Sequence, residues 1–358
     1  MCVSETFQRL VVRGVLPIAI LVLLVACSGI NDPPTAVPVD TLEDDPALPV
    51  LPEIPSDAPE AIPYLEIVLL SDMSPSVDAG TVLRMGESTM LLQRLLAAEL
   101  GLHFDVSVRT EPVFLDPETV SGDPDTVSIS DYPQKLREWK AAELDSPGAP
   151  WQPHALLLSH RKLESPQSIA YVDVVGHPFS AGVMAFTPSG FSLTPAQAAA
   201  LRATIAARMI GFNLGARMDH GAETTIMSPT FLATDPPVHY SSTTIALMSD
   251  EIDGVVAQRG SLPSLDVHPA GVRVDSGSVT LAWDFGGDTD SYIIHRSHEF
   301  VPISCFDCDS FSSGQSRSFV DHSVTAGESY RYRVVARDVD GGIVAVSAEV
   351  VVDVPVEM

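Results

Sequence analysis

The side chains that could do metal chemistry lie closest together between residues 219 and 239. Asp219, His220, Glu223 and His239 are carboxylate and imidazole donors of the kind that hold a divalent ion. A metal site built from them is one reading; histidines isolated beside a turn are more often structural, and that reading is preferred. Just before them runs Arg208-Met209-Ile210-Gly211-Phe212-Asn213-Leu214-Gly215-Ala216-Arg217-Met218-Asp219, whose larger side chains suit a metal badly. A guanidinium is a cation that does not deprotonate, phenylalanine donates nothing, and a thioether is too soft and neutral to hold zinc well. With methionine at 209 there is also no carboxylate there to take a proton from water.

The element that carries this segment is a helix. Thr194 can cap it, Pro195 suits its first position and Gln197 sits where a capping-box partner belongs. Alanine, leucine, isoleucine and methionine then dominate for about five turns, so the helix is buried on most sides. Gly215 ends it, because a helix leaving through a left-handed residue wants no side chain there. Upstream, Leu65 to Leu70 is a strand, Thr81 to Leu100 has helical spacing with Leu83, Leu91, Leu92, Leu95, Leu96 and Leu100 on its apolar face, and Leu102 to Thr110 is a second strand. This order predicts an α/β domain.

The segment from Arg208 to Asp219 resembles the zinc-binding segment of metzincin peptidases, in particular the reprolysin-like (adamalysin) group, whose pattern is H-E-x-G-H-N-L-G-x-x-H-D. Gly211, Asn213, Leu214, Gly215 and Asp219 stand in register with it, and Ile226-Met227-Ser228-Pro229 resembles the family's methionine turn. Arg208, Phe212 and Met218 occupy the three histidine positions and Met209 that of the glutamate. The resemblance thus implies the fold and, with all four ligand and base positions changed, a site without zinc. His154 to Leu163, Ile169 to Val172 and Ser180 to Val183 resemble the strands before the zinc helix, and Ser180 begins the strand taken as the edge that pairs with extended substrate in the family. His177 lies where family members often carry a disulfide cysteine, so that bridge is absent; His177 is also a further candidate for a relocated ligand set. Tyr240 to Thr244 leads into a closing helix with Ile245, Leu247, Met248 and Ile252. Met227 is expected to join Met209, Phe212 and Met218 in a filled core. Arg208 on a buried helix is expected to find a carboxylate, Asp219 or Asp173.

Two further acidic features each admit a functional and a plainer reading. Asp72-Met73-Ser74-Pro75-Ser76 fits the D-x-S-x-S adhesion pattern of von Willebrand A domains, but that fold needs a threonine and an aspartate on later loops that do not read convincingly here. It is read as a connecting loop. Asp116, Glu118, Asp123, Asp125 and Asp131 could take calcium, but their spacing matches no EF-hand, so they read as a solvated loop.

Residues 1–27 read as a secretion signal: Arg9 and Arg13 precede an apolar run too short to span a membrane comfortably. Leu24-Val25-Ala26-Cys27 resembles a bacterial lipobox, which implies lipid attachment at Cys27, and Ser28 after it implies outer-membrane sorting in the cell envelope; an ordinary signal peptide or anchor helix is the alternative. Residues 28–63 hold nine prolines and eight acidic residues with no lysine or arginine, the composition of an extended tether reaching on the order of 100 Å. The net charge of -27 argues against nucleic acid and anionic membrane surfaces as partners, leaving the lipid anchor as the one membrane contact.

Residues 64–259 are therefore read as the metzincin-like α/β domain, with a mixed sheet and a long active-site helix. From 261 to 354 the pattern changes to short alternating strands and resembles an all-β fibronectin type III-like sandwich. Trp283 matches its buried tryptophan and Tyr330 its tyrosine corner. Cys305 and Cys308 read as a local disulfide. The function expected is non-catalytic, with no cofactor: an exported lipoprotein whose pseudopeptidase domain binds a peptide or protein partner. An active zinc endopeptidase with non-standard ligands, and a structural or adhesive surface protein, remain the alternatives.

Overall fold

Strands that are apolar on both faces belong inside a layered sheet, and two stretches of this chain meet that condition. β6 (His154–Ser159) and β9 (Ala181–Ala185) are buried at every residue. They lie parallel and side by side near the middle of a five-stranded sheet of order β3-β2-β6-β9-β8, where β2 is Tyr64–Ser71, β3 His103–Val108 and β8 Ser168–Ala170. β2 pairs in parallel with both β3 and β6, and β8 closes one end antiparallel to β9. The computed structural model describes residues 61–72, 79–109, 113, 119–120, 123–143, 153–163, 168–170, 180–186, 192–229, 231–259, 262–267, 271–275, 277–306 and 308–356.

The alternation along β6 assigns its two faces. Leu156 and Leu158 join a core with α1 (Ala79–Leu100), α3 (Pro195–Asn213) and α4 (Ser242–Arg259). Ala155 and Leu157 face a second core with α2 (Tyr132–Glu143), where Tyr132 and Leu136 are fully buried. A small sheet of β4 (Thr119–Val120), β5 (Asp123–Val127) and β7 (Lys162–Leu163) accompanies this second layer. The result is helix, sheet, helix: the mixed α/β arrangement that the strand–helix–strand start implied. No helix among the described residues is long and apolar enough to cross a membrane.

The ends of the strands are tied by side chains. Asp72, first residue of the D-x-S-x-S stretch, is buried and accepts from Tyr132 Oη at 2.9 Å, Ser159 Oγ at 2.5 Å and the His160 amide at 2.7 Å. Its carboxylate thus joins β2, β6 and α2. Met73, Ser74, Pro75 and Ser76 lie outside the described residues, as do Asp116 and Glu118 of the acidic stretch.

The C-terminal part is all β. β11 (Arg273–Asp275), β12 (Ser278–Asp284) and β15 (Ser318–Asp321) form one layer. β14 (Asp309–Gly314), β13 (Ser291–Ser297), β16 (Ser329–Arg337), β17 (Ile343–Ser347) and β18 (Val350–Asp353) form the other, and β10 (Leu262–Val267) pairs with both β12 and β17. Val279, Leu281 and Trp283 alternate into the core between the layers, with Trp283 edge-on to Tyr292 at 5.4 Å. Tyr330 Oη accepts from the Thr325 amide at 3.0 Å and donates to Glu328, pinning the turn before β16. Cys305 and Cys308 are bonded to each other.

One boundary differs from the sequence reading. Ala61 and Ile62, assigned there to the tether, form β1 and pair antiparallel with Pro263 and Leu262 of β10. Ile62 is buried with Leu262, Ile303, Val335, Ile343 and Val346. A two-residue strand between prolines and acids leaves no periodicity to read; only its distant partner makes it a strand. The two folded parts also share an interface: Gln93 Nε2 donates to the Ser304 carbonyl at 2.9 Å, Ser304 Oγ to Asp105 at 2.6 Å, and Phe306 packs on the core beneath α1, where a Cβ on Gly86 would stand 3.1 Å from the Phe306 Cβ.

Candidate functional site

The helix α3 begins as its residues dictate. Gln197 N–H donates to Thr194 Oγ1 at 3.2 Å and Thr194 N–H to Gln197 Oε1 at 3.1 Å, a reciprocal capping box with Pro195 behind it. It leaves through Gly215 at a φ of 83°, and the Ala216 amide returns to the Gly211 carbonyl at 2.8 Å. Two glycines let its second half press against its neighbours. A Cβ on Gly182 of β9 would stand 2.9 Å from Met209 Cβ, and one on Gly211 would stand 3.1 Å from Met227 Sδ and 3.3 Å from Tyr240 Cε1.

Met227 sits at the bottom of a turn held by its own backbone. Ser228 N–H donates to the Thr225 carbonyl, Ile226 N–H to His239 and Asp219 N–H to Met227. Asp219 then fastens this turn to the next element: its carboxylate accepts Thr225 Oγ1 at 2.7 Å, Ser241 Oγ at 3.2 Å and Thr244 Oγ1 at 3.0 Å, the last two at the start of α4. These three hydroxyls carry no signal in the sequence. Nothing in a Thr or Ser alone marks it as an aspartate's partner across 25 residues.

Arg208 corrects the expectation of a pair with Asp219. Among the described residues it meets no carboxylate; Asp219 is committed to hydroxyls, and Asp173 lies outside the described residues. Its Nε donates to the Ile226 carbonyl at 2.7 Å and its Nη2 to the Ser228 carbonyl, while the guanidinium lies 4.6 Å from the Phe231 ring centre. Burial pulls its pKa down to about 10, with Tyr240 acting the other way, so it remains a cation at neutral pH. The charge is met by carbonyl dipoles and a π face.

The other altered positions separate. Met209 and Met227 are buried, and Phe212 is half-buried against the same core as Met227. Met218 is 40 % exposed, so it does not join the filled core the sequence reading gave it. It lies beyond the helix exit, where the chain no longer runs along the sheet. His220 and Glu223 are exposed, and Glu223 Oε1 is 3.2 Å from His239 Nε2. His177 is outside the described residues. Among the described residues no three histidine, cysteine, aspartate or glutamate side chains converge. The set Arg208, Met209, Phe212 and Met218 does not fit zinc: it offers one cation, two thioethers and a hydrocarbon ring.

The C-terminal end of α3 rests on a buried polar cluster. Asn213 Nδ2 donates to the Ala181 carbonyl at 3.5 Å and its Oδ1 accepts Ser180 Oγ at 3.4 Å; His154 Nδ1 lies 3.2 Å from Ser180 Oγ, and Lys140 Nζ donates to the Ser180 carbonyl at 3.3 Å. Lys140 is fully buried. Burial, and next the Lys140 cation, push His154 down to about 3, which keeps it neutral. This places Ser180 in the interior. The strand it precedes, β9, lies inside the sheet, and the edge is β8. Register across strands is a long-range property, which explains why the sequence reading put the edge one strand too far along.

Comparison with solved structures finds partial likenesses. Metalloproteinase-II from Bacteroides fragilis is similar over 58 % of this chain and 58 % of its own, with 13 % identity and a TM-score of 0.35. A human fibronectin type III domain is similar over 26 % of this chain and 76 % of its own, with 22 % identity and a TM-score of 0.21. An Fn3-like protein from Clostridium thermocellum covers 26 % of this chain and 90 % of its own, with 23 % identity and a TM-score of 0.19. No family model matches the chain, and no curated protein does.

Proposed function

We propose that this chain is an exported, lipid-anchored protein of the bacterial cell envelope whose metzincin-like domain has given up metal chemistry and binds an extended peptide or protein segment. The observation that carries the loss is Arg208: its guanidinium bridges the helix to the Ile226 and Ser228 carbonyls, at the position where the family pattern has its first zinc ligand. One fixed cation there repels a second, and neither Phe212 nor Met218 supplies a nitrogen or oxygen donor. Met209 removes the general base as well.

Binding is supported by what the fold leaves outward. Among the described residues β8 pairs with β9 alone, which makes its outer side the place where an extended segment would add as a strand. Apolar side chains stand in water beyond the helix exit: Met218 at 40 % and Leu232 at 70 % exposure. In this reading the Pro-rich segment after Cys27 is the tether to the lipid anchor.

The test is elemental analysis of the chain from Ser28 onward, purified without chelator and without added zinc. No bound metal, and an unchanged melting temperature in chelator, are the expected results. About one zinc per chain, lost on chelation together with cleavage of an unfolded protein substrate, would overturn the reading. For binding, peptides selected from a random library are expected to lose affinity when proline replaces residues in Ser168–Ala170, since proline removes a ladder donor.

A further inference from the structure

The loop between β13 and β14 carries the sandwich's contacts with α1, and its tip is closed by the bond between Cys305 and Cys308. The root of the loop belongs to the sandwich. Val301 and Ile303 are fully buried, the Val301 amide donates to Glu349 at 2.8 Å, and Arg333 Nε donates to the Val301 carbonyl at 2.6 Å. The rest faces the other domain. Besides the Ser304 and Phe306 contacts with α1 and β3, Glu299 Oε2 lies 3.1 Å from Arg94 Nη1 and Cys305 Sγ lies 3.5 Å from Met90 Sδ. The Phe300 ring stands 6.5 Å from that of His103 at the start of β3.

What shapes this tip is covalent. Between Val301 and β14 the described residues form no strand, so no ladder fixes their path. The bond returns Cys305 to the residue just before β14 and sets where Ser304 and Phe306 stand. Cys305 and Cys308 are three apart in sequence, and closing so short a loop removes little freedom from the unfolded chain. Its effect is therefore felt at the docked surface more than in the stability of either fold. Both cysteines are partly exposed, which gives a dithiol access to the bond.

We infer that the Cys305–Cys308 bond is a redox-controlled clasp: oxidised, it holds the loop in the shape that docks the sandwich on α1, and reduced, it lets that contact open. The reductant is a dithiol. Its thiolate attacks one sulfur to form a mixed disulfide, and its second thiol displaces the protein. Two electrons and two protons pass to the cysteine pair, which becomes two thiols, while the dithiol leaves as its own disulfide. Opening bares α1 around Gly86, Met90 and Gln93. The β1–β10 ladder is untouched, so the two parts stay joined at Ile62 and Leu262. The clasp requires neither the loss of zinc nor peptide binding at β8.

The experiment is amide exchange read by mass spectrometry on the chain from Ser28 onward, which keeps every described residue and has Cys305 and Cys308 as its only cysteines. Oxidised and dithiothreitol-reduced samples are compared, with alkylation counting the thiols. Reduction is expected to speed exchange about tenfold in residues 86–94 and 299–306, with β6, β12 and β16 unchanged, and reoxidation to restore protection. A Cys305→Ser, Cys308→Ser double variant is expected to exchange like the reduced chain and to ignore dithiothreitol; should it fail to fold, the reduced parent chain decides alone. Unchanged exchange in residues 86–94 after full reduction would overturn the inference. So would a bond that dithiothreitol cannot open in the folded chain, or protection lost across β12 and β16 as well, which marks a bond that merely holds the sandwich together.

Discussion

Replacing Arg208 by methionine tests the central structural claim, that this cation braces the helix against the turn. Methionine fills most of the volume of the arginine stem but leaves the Ile226 and Ser228 carbonyls without their donors. Both residues are buried, at 0 % and 6 % exposure. Each orphaned carbonyl costs about 1–3 kcal/mol, and the lost stacking on Phe231 about 0.5–1 kcal/mol more. Removing a desolvated charge works the other way by about 1–4 kcal/mol. The balance is a loss of about 2 kcal/mol, or roughly 4–8 °C in melting temperature for a unit of this size. Urea unfolding followed by tryptophan fluorescence and far-UV dichroism reads it directly. Lysine at 208 keeps the charge but reaches as a point donor, so it recovers about half. If methionine left the midpoint within about 0.5 kcal/mol of the parent, the surface-substitution range, the bracing argument would fail.

Three other outcomes follow from the packing. Gly182→Ala places a methyl 2.9 Å from Met209 Cβ, an atom fixed to the helix backbone, so it should destabilise by about 1–3 kcal/mol and Met209→Ala should not rescue it; rescue by that alanine in denaturant titration would show that the clash lies elsewhere. Thr194→Ala removes the reciprocal cap and should cost about 1 kcal/mol, with Thr194→Ser close to neutral, read by the same titration. His154 and His295 are pushed down by burial to about 3 and about 4. The unfolded chain protonates both near 6.5, so between these values it binds more protons than the native chain and stability falls as pH drops. At about pH 5 each contributes a loss of about 2 kcal/mol. A urea midpoint that stayed level from neutral pH to that point would contradict the burial argument, and His154→Gln should reduce the slope.

What could be read from the residues was local. Thr194, Pro195, Gln197 and Gly215 mark the ends of α3 because caps are made by neighbours in sequence, and the apolar, β-branched run from Leu65 to Leu70 marks β2. Val279, Leu281 and Trp283 declare a half-buried strand by alternation. What could not be read depended on distant backbone. The partners of Arg208 are carbonyls, which every residue carries and no sequence advertises. Met218 reads as apolar and hence internal, yet the chain has already turned outward at Gly215. β8 and β9 differ in depth only through a pairing order that neither sequence reveals.

The pairing of β1 with β10 makes the α/β part an insertion with a clasped neck. The chain enters it at Ile62 and leaves it at Leu262, and these two residues are partners in one ladder. Tension applied upstream of Ala61 therefore meets β10 and the sandwich before it can reach β2. The α/β part lies off the load path, as a parcel hung from a closed ring, and a pull on the N-terminal side must first part a two-residue ladder and withdraw Ile62 from its apolar seat. Until then the surface around Met218 and β8 keeps its shape under strain along the chain.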